Sequence, residues 1–173
     1  STIQSRFYGS SIFFDGSDDH ITTAGSLWSA NGNQTFECWI WANNITSSNG
    51  HVLFDTGGSG QLLIQQNSGV KRITFHPSDS NYSRSEDTIP EDEWVHIAFT
   101  QTSNTRTIFI NGKKVTAYAA TAGNAQTAAW NNPTGTFRIG HESANSRDYF
   151  DGYMQDIRVY DKVKYTANFK PPT

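Results

Sequence analysis

Short runs in which apolar and polar side chains alternate recur along the whole chain, separated by clusters of Gly, Asn, Ser and Pro. This alternation has the period of a β-strand, in which successive side chains point to opposite faces of a sheet. No stretch shows a convincing 3.6-residue period, so the spacing predicts an all-β sandwich or barrel rather than βαβ units. The predicted strands are residues 11–15, 20–23, 35–42, 51–55, 61–65, 71–76, 94–101, 105–110, 136–141 and 153–160.

Composition agrees with that fold class. The chain contains 11 Phe, 7 Tyr and 5 Trp but only four Leu and one Met, and strands favour aromatic and β-branched residues. A chain of 173 residues fits one domain, residues 1–173, and is long enough to bury a core without a disulfide. Its one cysteine, Cys38, cannot form an internal disulfide, which excludes a disulfide-stapled scaffold.

Charge and hydropathy exclude several partners. The net charge is -3 with only 13 basic residues, which gives no electrostatic footprint for nucleic acid or for an anionic membrane. The longest apolar runs, such as residues 38–42, are far shorter than the ~20 residues of a membrane span. We therefore expect neither nucleic-acid binding nor a membrane-spanning segment.

Asn111-Gly112 gives the strongest turn signal. It joins two apolar-polar runs, and both central residues of a type I′ hairpin turn need a positive φ, which Asn and Gly tolerate. Three longer polar connections, residues 77–90, 118–135 and 142–149, are predicted as loops, each carrying an isolated aromatic residue.

An ordered set of motifs resembles the laminin-G-like, concanavalin A-like jelly roll, in the branch that is also similar to pentraxins. The motifs are SIFFDGSDDHI (11–21), TFECWI (35–40), WVHIAF (94–99), IFINGKKV (108–115), RIG (138–140) and FDGYMQDIRVY (150–160). The resemblance covers roughly residues 9–160. The tail, residues 161–173, contains KYTANFKPP (164–172), which is similar to a C-terminal pattern found with this domain in phage, viral and bacterial surface proteins.

The resemblance implies a two-sheet antiparallel jelly-roll sandwich with a curved concave face. It also implies binding of glycans or proteins on a cell or virion surface, hence an extracellular or virion-surface location. Many members carry a calcium ion, and some relatives are glycoside hydrolases.

The sequence contains no convincing pair of catalytic carboxylates. Retaining glycosidases need two carboxyl groups about 5–5.5 Å apart. Glu91-Asp92-Glu93 is the nearest match, but it follows Pro90 and precedes a strand, so we interpret it as solvated turn charge. The five histidines show no zinc-binding spacing. We therefore predict that the protein is not an enzyme.

Carboxylates near residue 15 are candidate calcium ligands. Asp15-x-Ser17-x-Asp19 places oxygens at alternate positions, but His20 replaces the glycine of an EF-hand and Ser26 its glutamate. A looser site at the sandwich edge stays open. There, Asp15 would act with Asp156, which resembles the aspartate that binds calcium in glucanase relatives. The alternative is that Asp15 merely fixes the turn before Gly16.

Alternation in residues 35–42 creates two faces, with Phe36, Cys38 and Ile40 on one and Glu37, Trp39 and Trp41 on the other. One face must pack inside the sandwich. The two indoles beside a carboxylate would suit a sugar platform, but the favoured interpretation is that one or both cover the core.

Five residues in the three predicted loops are candidate glycan ligands: Tyr82, Arg84, Trp130, Asn131 and Tyr149. Aromatic rings supply contact area, and amide or guanidinium groups can bond sugar hydroxyls. The resulting hypothesis is a non-catalytic, lectin-like module that binds a glycan or a glycosylated surface. One alternative is a structural, adhesive or virion-decoration module without a sugar site, whose partner is protein, such as other copies of this chain or a structural protein. The third is a glycoside hydrolase relative.

Overall fold

The computed structural model describes residues 4–45, 50–57, 60–78, 81–103, 105–115, 118–122, 135–142 and 148–173. Within these ranges the chain forms thirteen strands and no helix. The strands are β1 (Ile12–Asp15), β2 (Ile21–Thr22), β3 (Gln34–Ala42), β4 (His51–Asp55), β5 (Gln61–Asn67), β6 (Val70–Ser78), β7 (Asn81–Thr88), β8 (Trp94–Thr102), β9 (Thr105–Ile110), β10 (Lys113–Lys114), β11 (Tyr118–Ala122), β12 (Arg138–Ile139) and β13 (Asp151–Tyr160).

The strands form two antiparallel sheets. One has six strands in the order β1-β13-β3-β8-β9-β10, and the other has seven in the order β11-β7-β6-β5-β4-β12-β2. Neighbours in space are distant in sequence, as in β1 beside β13 and β13 beside β3. The all-β, two-sheet antiparallel jelly-roll prediction is confirmed.

The core lies between the sheets and is rich in aromatic rings. Phe36, Cys38 and Ile40 of β3 face inward and belong to this core. The rings of Phe54, Trp28 and Phe137 pack against one another, with centroid distances of 5.2, 5.4 and 6.4 Å. Such ring pairs contribute about 0.5–1.5 kcal/mol beyond the burial of their area. Aromatic packing therefore stabilises a core that contains few leucines.

The hairpin turns follow the predicted chemistry. Asn111 and Gly112 have φ values of 50° and 75°, as a type I′ turn requires, and they join β9 to β10. Ser68 and Gly69, with φ values of 51° and 80°, make the equivalent turn between β5 and β6.

Two predicted loops contain strands, which corrects the sequence analysis. Residues 77–90 include β7, and residues 118–135 begin with β11, its antiparallel neighbour. β7 lacks the apolar alternation of the other strands because its inward positions are the buried serines Ser83 and Ser85. Tyr82 and Arg84 therefore project from a strand and not from a loop.

The tail, residues 161–173, crosses the outer face of the six-stranded sheet. Trp39 Nε1 donates to the Pro172 carbonyl at 3.2 Å, and Phe169 N–H donates to the Gly112 carbonyl at 2.9 Å. The Tyr165 and Phe169 rings stack 3.5 Å apart. The tail thus shields part of a sheet face that would otherwise meet solvent.

Candidate functional site

A cluster of half-buried polar and aromatic side chains lies on the outer face of the seven-stranded sheet. We call it the tyrosine face; it consists of Gln61, Gln65, His76, Tyr82 and Arg84. The Tyr82 and His76 rings stack with centroids 5.3 Å apart and an interplanar angle of 22°. The Arg84 guanidinium lies 4.9 Å from the Tyr82 ring centroid and donates to Gln65 Oε1 at 3.2 Å. Two of the predicted ligand residues, Tyr82 and Arg84, are therefore in contact.

The tyrosine face also has hydrogen-bonding capacity that its neighbours do not use. Thr74 lies opposite Arg84 in the register of β6 and β7. Thr74 Oγ1 and Arg84 Nε are buried and have no hydrogen-bond partner among the described residues. Leaving a buried polar atom unpaired costs about 1–3 kcal/mol, and such atoms are usually paired with protein groups or ordered water, so these two are candidates for a water-mediated contact.

Tyr149, the third described candidate, belongs to a different cluster. Its ring stacks on His141 at 4.0 Å with an interplanar angle of 9°, and His141 lies 5.5 Å from His20. His20 Nδ1 is 2.9 Å from the Asp18 carbonyl oxygen, which places this ring stack beside the acidic turn of residues 15–19. Trp130 and Asn131 lie outside the described residues.

That turn holds three carboxylates. Oxygens of Asp15, Asp18 and Asp19 all lie within 4.8 Å of one another. Asp15 Oδ1 accepts hydrogen bonds from the Ser17 N–H at 2.8 Å and the Asp18 N–H at 3.3 Å, and these bonds lower the pKa of Asp15. The group therefore offers hard oxygen ligands of the kind that calcium prefers.

Asp15 and Asp156 do not form one site, which corrects the predicted pairing. Asp15 lies opposite Asp151, and Asp156 is five residues further along β13, or roughly 16 Å at 3.3 Å per residue. Asp156 also makes a 2.6 Å ion pair with Arg158. The predicted pairing of Asp15 with Asp156 was wrong because it depends on the register of β1 on β13. The alternation of apolar and polar residues does not determine that register.

The carboxylates between β7 and β8 are structural. Residues 91–93 form a bend, as the sequence indicated. Glu91 accepts a hydrogen bond from Ile45 N–H and pairs with Lys71, while Glu93 is exposed. The two glutamates are not aligned by one strand toward one point.

Glu37 of β3 is enclosed by the tail and by its own sheet. Its oxygens accept from Lys164 Nζ at 2.7 Å and from the hydroxyls of Tyr160 and Tyr165 at 2.9 and 2.6 Å. His96 Nε2 lies 3.5 Å away. Burial alone would raise the pKa of Glu37, but these four partners outweigh it, so the pKa lies well below its usual range. The Glu37 carboxylate therefore serves to stabilise the fold and not to bind a ligand.

Neither indole of β3 covers the core between the sheets, contrary to the favoured interpretation. Trp39 is 5% exposed because the terminal segments cover it: the Phe7 ring lies 5.6 Å away and the Arg6 guanidinium 4.8 Å. Trp41 is half-buried and packs edge to face against Trp94 at 6.1 Å. Alternation placed both indoles on one face correctly, but it could not show that the chain termini cover one of them.

A family model of laminin-G type, described as the concanavalin A-like lectin/glucanases superfamily, matches residues 15–167. A search of curated proteins finds no match to this sequence. No helix in the described part of the chain is long and apolar enough to cross a membrane.

Solved structures share the fold at low sequence identity. A heptameric SAP-like pentraxin from Limulus polyphemus has a TM-score of 0.64 and 17% identity, covering 90% of this chain and 77% of its own. Domain 4 of a GH43 extracellular arabinanase from Geobacillus stearothermophilus, in complex with arabinotriose, has a TM-score of 0.62 and 16% identity, with coverages of 88% and 70%. The CBM40 of the Ruminococcus gnavus IT-sialidase has a TM-score of 0.58 and 13% identity, with coverages of 90% and 91%.

Proposed function

Since this chain belongs to the concanavalin A-like lectin/glucanase superfamily, we propose that it is a non-catalytic module that binds carbohydrate on an extracellular or virion surface. The tyrosine face is the proposed site. The observation that carries this proposal is the stack of His76, Tyr82 and Arg84 beside the unpaired polar atoms of Thr74 and Arg84.

This arrangement suits a sugar. A pyranose or furanose ring offers an apolar C–H face to an aromatic ring and hydroxyls to polar neighbours. Tyr82 supplies the ring, and Arg84, Gln61 and Gln65 supply donors and acceptors at its edge. Because the site consists of side chains on a sheet face, we expect micromolar-to-millimolar affinity, roughly −8 to −4 kcal/mol, which multivalent display would strengthen.

A calcium ion, as fold relatives imply, is assigned to Asp15, Asp18 and Asp19. These oxygens fit because they are close together and hard. Asp156 does not fit as a partner because Arg158 neutralises it. When bound, the ion would neutralise the repulsion among the three carboxylates and hold the turn next to the His20–His141–Tyr149 stack.

The experiment is a glycan array with multivalent protein, followed by titration calorimetry of the best glycan. Tyr82→Ala should weaken binding about tenfold, the loss of one aromatic contact. The matched control is Tyr8→Ala, because Tyr8 is 74% exposed and lies on another part of the surface. If no glycan binds, or if both variants bind as the wild type does, the sugar site is excluded. An adhesive module that packs against protein then replaces it.

A further inference from the structure

Four aromatic side chains form a continuous row on the outer face of the six-stranded sheet. We call it the aromatic row; in the order of the strands β1, β13, β3 and β8 it consists of Phe13, Tyr153, Trp41 and Trp94. Each is the direct cross-strand partner of the next. At about 4.8 Å between strands the row is about 14 Å long, enough to contact several sugar rings.

The row lies outside the core, and three of its four side chains are accessible. Phe13 is 45% exposed and Trp41 and Trp94 are half-buried, whereas Tyr153, between Phe13 and Trp41, is only 9% exposed. Exposed contiguous aromatic surface on a folded domain usually marks a binding site.

The terminal segments cover the row of side chains next to this one. The covered row is Gln155, Trp39 and His96, which are also cross-strand partners. Gln155 Oε1 accepts from Arg6 N–H at 2.7 Å, and the Phe169 ring lies 5.7 Å from the His96 ring. In the described part of the chain, the terminal segments therefore cover the stripe that contains Trp39, whereas three of the four side chains of the aromatic row stay at least partly exposed.

A polar stripe borders the aromatic row on its other side. Asp15 and Asp151 lie opposite each other, and Asn43 Nδ2 donates to Asp151 Oδ1 at 3.1 Å. Asp92 follows, with its N–H bonded to the Ala42 carbonyl at 3.2 Å. The stripe thus carries three carboxylates and one amide. Arg6, a cation on this sheet face, is held over the Trp39 ring.

The charge of that stripe selects the ligand class. Asp92 and Asp151, the two carboxylates of the stripe that are not assigned to calcium, can accept hydrogen bonds from neutral hydroxyls and would repel phosphates, uronates and sialic acids. The rings are not coplanar, since Trp41 and Trp94 meet at 66° and Phe13 and Tyr153 at 42°, so they match a twisted soluble chain better than a flat crystalline surface. We propose that the aromatic row is a second carbohydrate site, which takes a neutral, soluble polysaccharide chain. It lies on the opposite sheet from the tyrosine face and does not depend on that site.

The test is affinity electrophoresis of the full chain through gels that contain barley β-glucan, xylan, linear arabinan or mannan, with polygalacturonate as the anionic comparison. At least one neutral polysaccharide should retard the wild type. Trp94→Ala should weaken that retardation about tenfold, whereas Leu27→Ala, at an exposed side chain outside both the aromatic row and the tyrosine face, should leave it unchanged. A gel that contains polygalacturonate should not retard the protein through the aromatic row.

Phe13→Ala, at the other end of the row, gives a second variant if Trp94→Ala does not fold, because Phe13 lies outside the core and near the sheet edge. The proposal is overturned if no neutral polysaccharide retards the wild type. It is also overturned if Tyr82→Ala abolishes retardation while the row variants keep it. In that second outcome the sugar-binding function of the tyrosine face stands and only the second site is lost.

Discussion

Lys164 Nζ lies 2.7 Å from Glu37 Oε1, although 127 residues separate the two in sequence. Glu37 is in the middle of a central strand and is almost fully buried, while Lys164 belongs to the tail. The ion pair therefore ties the tail to the sheet, and the hydroxyls of Tyr160 and Tyr165 complete the ring of donors around the carboxylate.

Removing one of those donors should loosen the tail. Tyr165→Phe deletes the hydrogen bond to Glu37, and a bond to a charged buried group contributes about 1.5–3 kcal/mol. We expect the free energy of unfolding, measured in urea, to fall by about 2 kcal/mol. Tyr8→Phe is the control and should stay within about 0.5 kcal/mol of wild type because Tyr8 is exposed. Equal effects would mean that the tail is not anchored at Glu37.

Stability should depend on pH through Glu37. Because its pKa is lower in the folded state than the ordinary value of 4.5, ionised Glu37 stabilises the fold above pH 4.5. This contribution is lost as the pH falls below that value. Glu37→Gln should cost about 3–5 kcal/mol at pH 7 and show a shallower loss of stability in acid than the wild type.

Urea midpoints measured from about pH 7 to pH 3 check this dependence. The exposed Glu93→Gln is the control and should follow the wild-type profile. If the Glu37→Gln profile is as steep as the wild-type one, the acid sensitivity arises elsewhere.

Substitution of two glycines with similar backbone angles distinguishes the cost of backbone strain in a turn from the cost of a clash with the tail. Gly69→Ala should cost about 1 kcal/mol, since φ is +80° and no atom lies within 4 Å of the added Cβ. Gly112→Ala, at φ +75°, should cost about 2–3 kcal/mol, because its Cβ would lie 2.0 Å from the Phe169 carbonyl oxygen. Thermal unfolding by circular dichroism gives both values. A difference near zero would indicate that the tail moves away at little cost.

Calcium removal should destabilise the protein if the acidic turn binds the ion. A ligand at a hundredfold excess over its Kd stabilises the native state by about 2.7 kcal/mol, so EDTA should lower Tm by about 5–10 °C. Asp18→Asn should remove most of that drop. Asp156→Asn should keep it, because Asp156 is paired with Arg158. An unchanged Tm after confirmed metal removal would exclude the site.

The sequence predicted the strands whose inward positions are apolar, such as residues 35–42 and 94–101, because burial on one side imposes the alternation. It missed β7, whose inward side chains are serines, and so treated Tyr82 as a loop residue. The alternation of apolar and polar residues identifies a strand only where the inward side chains are apolar.

Contacts between segments that are distant in the chain could not be predicted from the sequence. The separation of Asp15 from Asp156 follows from the register of β1 on β13. The burial of Trp39 follows from termini that return to the sheet. Neither relation leaves a signal in the residues next to it, whereas the Asn111-Gly112 turn, which is purely local, was predicted correctly.

Alkylation of Cys38 can be used to measure the unfolding of this protein. It is the one cysteine of the chain, it has no exposed surface, and burial raises the pKa of its thiol, so the native state protects it from alkylation. Labelling by a thiol reagent must therefore proceed through molecules in which the inner face of β3 has opened. The alkylation rate of any variant then measures the population of that opened state directly, without denaturant and without a spectroscopic signal.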